Sequence, residues 1–141
     1  SKNSTKILAK SNTGFAYNTL GKTDLLVSEV GFGSYRIDVK SSLNREALKK
    51  AVLSGINLID TSSTYTDGNS ELLVGAVLKK LVTDDKVSRE SIVIVTKGGY
   101  LQGQNFTLSQ LRKKDNKPSS ENKKLVNSDK MCPNISALSM C

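Results

Sequence analysis

Four consecutive β-branched residues, Ile92-Val93-Ile94-Val95, constrain the fold of this chain more than any other stretch. A strand with one wet face alternates apolar and polar residues, and this run does not alternate. It fits a parallel strand covered on both faces. Ile56-Asn57-Leu58-Ile59-Asp60 reads as a strand ahead of it, and Glu29-Val30-Gly31-Phe32-Gly33 as a shorter one whose glycines permit close backbone approach. Between these strands lie helical patterns. Arg45 to Ser54 carries Ala47, Leu48, Ala51 and Val52 at helical spacing, with Asn44 placed to cap its start and Gly55 its end. Asp67-Gly68-Asn69 is a turn that opens a second helix, with Leu72, Leu73, Ala76, Val77 and Leu81 on one face. Thr83 to Glu90 is a polar connection. Strand, helix, strand, helix, strand predicts an α/β fold with a parallel sheet and right-handed crossovers.

The flanks differ from this centre. Phe15 to Leu20 and Leu25 to Ser28 are strand-like, and Gly21-Lys22-Thr23-Asp24 between them has turn chemistry, so a β-hairpin precedes the alternating region. Residues 1 to 14 are polar and are expected to be flexible. After Tyr100 the chain turns rich in Gln, Lys and Asn, and residues 122 to 141 have neither strand nor helix periodicity. The expected organisation is a flexible segment at 1–14, a folded part at 15–100, and a polar, disordered or aberrant tail at 101–141.

Composition removes several function classes. A length of 141 residues suffices for one domain with a core, and no stretch approaches a membrane span. The amino terminus has no apolar run of signal-peptide length, which makes the cytoplasm the default location. There is no histidine, and both cysteines, Cys132 and Cys141, fall in the last ten residues, so no metal site is expected. The net charge of +8 is spread through the chain without a basic helix or an aromatic-interleaved basic strand. It reads as solvated lysines, and no specific nucleic-acid partner is expected.

Chemistry concentrates at the strand ends. In parallel α/β folds, ligands and catalytic groups sit at the carboxyl ends of the strands. Asp60 and Lys97 lie at two such ends, and Tyr65 lies in the loop after the first. Tyrosine is a weak acid with an ordinary pKa of about 10. A neighbouring lysine cation favours the phenolate, and a carboxylate can hold that lysine in place. Such a trio can protonate a developing alkoxide. Spacing alone leaves other readings open. Asp60 can tie down its own turn, Tyr65 can pack on a helix, and Lys97 can be a solvated residue before Gly98-Gly99.

Residues from about Tyr17 to Tyr100 resemble the amino-terminal part of an aldo-keto reductase. The matching pieces, in family order, are Leu20-Gly21-Lys22-Thr23-Asp24-Leu25 with Val27-Ser28, then Val30-Gly31-Phe32-Gly33-Ser34-Tyr35. They continue with Gly55-Ile56-Asn57-Leu58-Ile59-Asp60-Thr61 and Tyr65, Ser70-Glu71-Leu72-Leu73-Val74-Gly75, Ser88-Arg89-Glu90, and Thr96-Lys97-Gly98-Gly99-Tyr100. The resemblance implies part of an eight-stranded (β/α) TIM barrel: the hairpin as its floor, about three parallel strands and two helices. It implies NADPH-dependent reduction of an aldehyde or ketone, a small carbonyl substrate. Asp60, Tyr65 and Lys97 match three of the family's four catalytic residues, with Tyr65 as the acid. Gly33, Ser34, Tyr35 and Asp60 match positions that line the nicotinamide pocket. The family's tyrosine is usually followed by glycine, whereas Thr66 follows here.

The fourth catalytic residue of the family is usually histidine, which this sequence does not contain. A (β/α) barrel typically needs about 250 residues. The expectation from sequence is therefore a truncated reductase, inactive or weakly active alone. The alternative is a noncatalytic interaction protein whose open strand edges pair with another copy of itself or with a full-length homologue.

Overall fold

The computed structural model describes residues 2–99, 101 and 103–114. They divide into two compact units, one running to Thr96 and one beginning at Lys97. The first holds a helix, α1 (Lys2–Ser11), and a hairpin of β1 (Tyr17–Thr19) and β2 (Leu26–Ser28). Then come β3 (Phe32–Gly33), α2 (Ser42–Leu53), β4 (Leu58–Asp60), α3 (Asn69–Thr83) and β5 (Val93–Val95). The second contains α4 (Gly103–Lys114).

The strands β3, β4 and β5 form a parallel sheet in chain order, with β4 in the middle. Gly33 pairs with Asp60 and Asp60 with Val95, so the carboxyl ends of the three strands are level. The hairpin forms where its turn residues place it. Tyr17 pairs with Ser28 and Thr19 with Leu26, and Gly21 takes a φ of +53° inside the turn.

The core lies on one face of the sheet. Ile59 at its centre is fully buried against Leu48 and Val52 of α2 and Leu73, Val74, Val77, Leu78 and Leu81 of α3. Its register partners Phe32 and Ile94 pack against the same cluster. Burying a side chain such as Leu48 completely stabilises the fold by about 1.5–3 kcal/mol.

The helices differ from the sequence reading in detail. The second helix begins earlier than expected, because Ser41 and not Asn44 is its cap. The Ser41 hydroxyl accepts from the Asn44 backbone N–H at 3.2 Å. Its end is as expected: Gly55 sits at φ +105°, where an L side chain is strained. On α3 the buried face runs through Leu73, Val74, Val77, Leu78 and Leu81, while Leu72 is 63% exposed and Ala76 is exposed. The expected face was rotated by about one residue because the run is apolar on too many sides for periodicity to fix its azimuth.

Three further stretches are set out differently from what composition suggests. Residues 2–11, within the segment expected to be flexible, form α1. Thr5 is buried, its hydroxyl accepts from the Leu26 backbone N–H at 3.2 Å, and Lys2 pairs with Asp24. Polar composition hid a side-chain bond that satisfies a donor on β2. The strand β5 is not covered on both faces: Ile94 packs on the core, but Val95 is 41% exposed on a strand that lies at the sheet's edge among the described residues. Residues 103–114, expected within a disordered tail, form α4. The rest of that expected tail, 115–141 with Cys132 and Cys141, lies outside the described residues. No helix among the described residues is long and apolar enough to cross a membrane.

One residue joins the hairpin to the sheet. Asn57, just before β4, is fully buried. Its side-chain oxygen accepts from the Ser28 N–H at 2.8 Å, and its amide donates to the carbonyls of Leu26 and Ser91 at 3.0 Å each. Its own N–H donates to the Ser28 hydroxyl at 3.2 Å. The amino ends of β4 and β5 are thereby held to β2, leaving their carboxyl ends to carry chemistry.

Candidate active site

The carboxyl ends of β3, β4 and β5 are joined by backbone bonds that run past the strands themselves. The Ser34 N–H donates to the Asp60 carbonyl at 2.9 Å, and the Thr61 N–H donates to the Val95 carbonyl at 2.8 Å. These bonds fix where the loops leave the sheet. Asp60 is half-buried at the last position of β4.

Tyr65 opens a short 3-10 turn over Tyr65–Gly68 that leads into α3. Its N–H donates to the Ser62 carbonyl at 3.1 Å. Its ring meets the ring of Tyr35 edge-to-face, with centroids 5.0 Å apart and planes at 85°. Aromatic pairs favour this arrangement because the positive ring edge meets the negative face. The Arg36 guanidinium lies 5.9 Å from the Tyr35 centroid, at cation–π distance. Tyr35 itself is 63% exposed, and half-buried Tyr65 lies against it. The structure thus places Tyr35 and Tyr65, two residues singled out from sequence, against each other.

The turn after Tyr65 is strained. Thr66 sits at φ 49° and ψ 40°, and Asp67 at φ 53° and ψ 41°. Two successive non-glycine residues in the left-handed region are unusual, and a β-branched one there is an outlier. The family's usual glycine after the tyrosine would hold this conformation without penalty.

Ser34, expected from resemblance to line a cofactor pocket, is fully buried, and its hydroxyl lies 2.7 Å from that of Ser70. The outward surface of this loop belongs to Gly33 and Tyr35. A side chain built at Gly33 would meet no atom within 4 Å, so open space adjoins the strand end beside Asp60. Lys97 is exposed and opens the second unit. Among the described residues no cluster of His, Cys, Asp and Glu could hold a metal ion.

Sequence reasoning missed the hydroxyl contacts behind the site. Ser70 Oγ lies 2.9 Å from the Ser34 carbonyl oxygen and 3.1 Å from Thr61 Oγ1, and all three residues are buried. Glu71 accepts from the Thr96 hydroxyl at 2.6 Å, tying the first turn of α3 to the residue after β5. Small polar residues at strand ends and helix starts are common as turns and caps, so nothing in the sequence marked these as partners.

Comparison with known proteins places these loops in a family. A model described as the aldo/keto reductase family matches residues 29–130. The NADH-specific methylglyoxal reductase of Escherichia coli is 39% identical over 90 residues, covering 58% of this chain and 26% of that protein. The uncharacterized oxidoreductase YqkF of Bacillus subtilis is 32% identical over 80 residues, covering 57% and 24% respectively. A solved aldo-keto reductase from Bacillus halodurans, in its holo form, superposes with a TM-score of 0.55 at 32% identity, covering 64% of this chain and 28% of that one. The chain spans about a quarter of the length of the curated relatives it matches.

Proposed function

From the match over residues 29–130, the chain belongs to the aldo/keto reductase family, and we propose that it carries the proton-donating part of a carbonyl reductase site, with Tyr65 as the acid. Its strands and helices are the corresponding part of the family's TIM barrel. The observation that carries this reading is the seating of Tyr65 beside the open carboxyl ends of β3 and β4, edge-on to Tyr35. That is the end of a parallel sheet where catalytic groups collect.

When bound, a nicotinamide dinucleotide supplies the hydride. Gly33 leaves room for a ring at the strand ends, and the exposed Tyr35 gives it an apolar wall. Tyr65 donates its hydroxyl proton to the carbonyl oxygen as charge develops there. Asp60 borders the same pocket. The roles of Lys97 as the cation that favours the phenolate, and of Asp60 as the group that places it, rest on the sequence resemblance. The cofactor in this reading is NADPH. The Escherichia coli relative is by name NADH-specific, so the test includes both.

The experiment is a fluorescence titration of the purified chain with NADPH and with NADH, repeated on Gly33→Val. Saturable binding of one or both, weakened by the valine that fills the open space, supports the reading. No saturable binding of either dinucleotide refutes it.

A further inference from the structure

Tyr65 and Ser70 bracket the strained turn, and both ends of it touch one short segment. Tyr65 packs on Tyr35, and Ser70 bonds to Ser34, the residue next to it in sequence. Between the two ends lie Thr66 and Asp67, each held in a left-handed conformation. A strained turn persists only where its surroundings over-determine it. The two contacts to Ser34-Tyr35 supply that constraint.

The Ser70 end is the more firmly built. A serine hydroxyl has one hydrogen and two acceptor lone pairs. Ser70 Oγ has two acceptors for it on Ser34, the carbonyl at 2.9 Å and the hydroxyl at 2.7 Å, and lies 3.1 Å from Thr61 Oγ1. Its hydrogen thus finds an acceptor on Ser34 in either orientation, in a site closed to water. Each residue of this knot belongs to a segment that carries a site residue. Ser34 precedes Tyr35, Thr61 follows Asp60, and Ser70 lies in the first turn of the helix that follows the Tyr65–Gly68 turn. Helix packing alone does not require a hydroxyl at this position, since an alanine fills nearly the same space.

We propose that Ser70 is a positioning residue for Tyr65: its hydroxyl clasps the first turn of α3 to Ser34 and so holds the Tyr65 ring against Tyr35. The consequence for catalysis rests on the reading of Tyr65 as the acid. The clasp itself is tested without cofactor or substrate.

The test compares Ser70→Ala with Val77→Ala in the full chain. Val77 lies on the same helix, faces the core, and has no polar atom to join the knot's hydrogen bonds, so its truncation lowers stability without removing one of them. The readout is the nuclear Overhauser cross-peak between the Tyr35 and Tyr65 rings under conditions where each variant is folded. The expected result is loss of the cross-peak in Ser70→Ala and its retention in Val77→Ala. A wild-type cross-peak in Ser70→Ala, or equal loss in both variants, overturns the proposal. If Ser70→Ala does not fold, Ser70→Cys keeps a side chain of similar shape with only a weak donor; a wild-type cross-peak there overturns it equally. A chain that shows the clasp but no dinucleotide binding separates failure of the functional reading from failure of this one.

Discussion

Replacing Asn57 with leucine tests how the sheet and hairpin are joined, because leucine nearly matches the shape of asparagine and removes all its polar atoms. The Asn57 side chain makes three hydrogen bonds to backbone groups, at 2.8 Å to Ser28 and at 3.0 Å to Leu26 and Ser91. Each is worth about 0.5–1.5 kcal/mol net, and a buried backbone group left without a partner costs about 1–3 kcal/mol. Burying a leucine returns about 1.5–3 kcal/mol. With three groups at about 2 kcal/mol each and about 2 kcal/mol returned, the loss centres on about 4 kcal/mol, a large share of the roughly 5–15 kcal/mol that holds a domain folded. In urea a loss of about 4 kcal/mol lowers the midpoint by about 1.3–4 M at a slope of roughly 1–3 kcal/mol/M. Asn57→Asp is the sharper variant. The ionised carboxylate has no donor for the two carbonyls, whereas the protonated acid keeps one. Burial disfavours its charge and raises its folded pKa, so the loss deepens as pH rises above about 4. A leucine variant within about 0.5 kcal/mol of wild type, a change typical of unimportant surface sites, refutes the argument. So does an aspartate variant whose cost is the same at acid and neutral pH.

Two further expectations follow from the backbone and the hairpin. Thr66→Gly removes a left-handed cost of about 1–2 kcal/mol and adds a glycine entropy cost of about 0.5–1 kcal/mol. The melting temperature should therefore rise by a few degrees, and a fall shows that the Thr66 side chain contributes more than its strain. Tyr17 donates to the Gly55 carbonyl at 2.7 Å, and burial raises its phenol pKa above the ordinary 10.0. The folded state then keeps a proton that the unfolded chain releases. Its contribution is whole below about pH 10 and is lost as pH climbs through the higher folded value. Stability measured across the alkaline range should fall for wild type and fall less for Tyr17→Phe; parallel curves contradict this.

The alternation of apolar strands and helical patterns was enough to read the parallel sheet, because Ile59 and Ile94 leave no other way to bury their side chains. The hairpin was legible from Gly21, which takes the positive φ its turn requires. What stayed hidden were contacts between distant small polar residues. Thr5 with Leu26, Asn57 with Ser28 and Ser70 with Ser34 join segments far apart in the chain, and neither periodicity nor composition records such pairs. The azimuth of α3 was hidden for a different reason, since Leu72 and Leu73 are equally apolar and only packing decides between them. At the site, Tyr65 and Asp60 could be read from strand ends and resemblance. The burial of Ser34 could not, because it depends on a partner thirty-six residues away.

The most direct test of Tyr65 as the acid is deuteride transfer from reduced nicotinamide cofactor, labelled on its transferring carbon, to a generic aldehyde, followed by mass spectrometry of the alcohol. The expected outcome is slow transfer by the wild-type chain, which contains no histidine. Tyr65→Phe should reduce it by about 10²–10⁴-fold, the usual worth of a positioned acid, with dinucleotide affinity unchanged. Equal transfer by Tyr65→Phe, or none by wild type with either NADPH or NADH, contradicts the account.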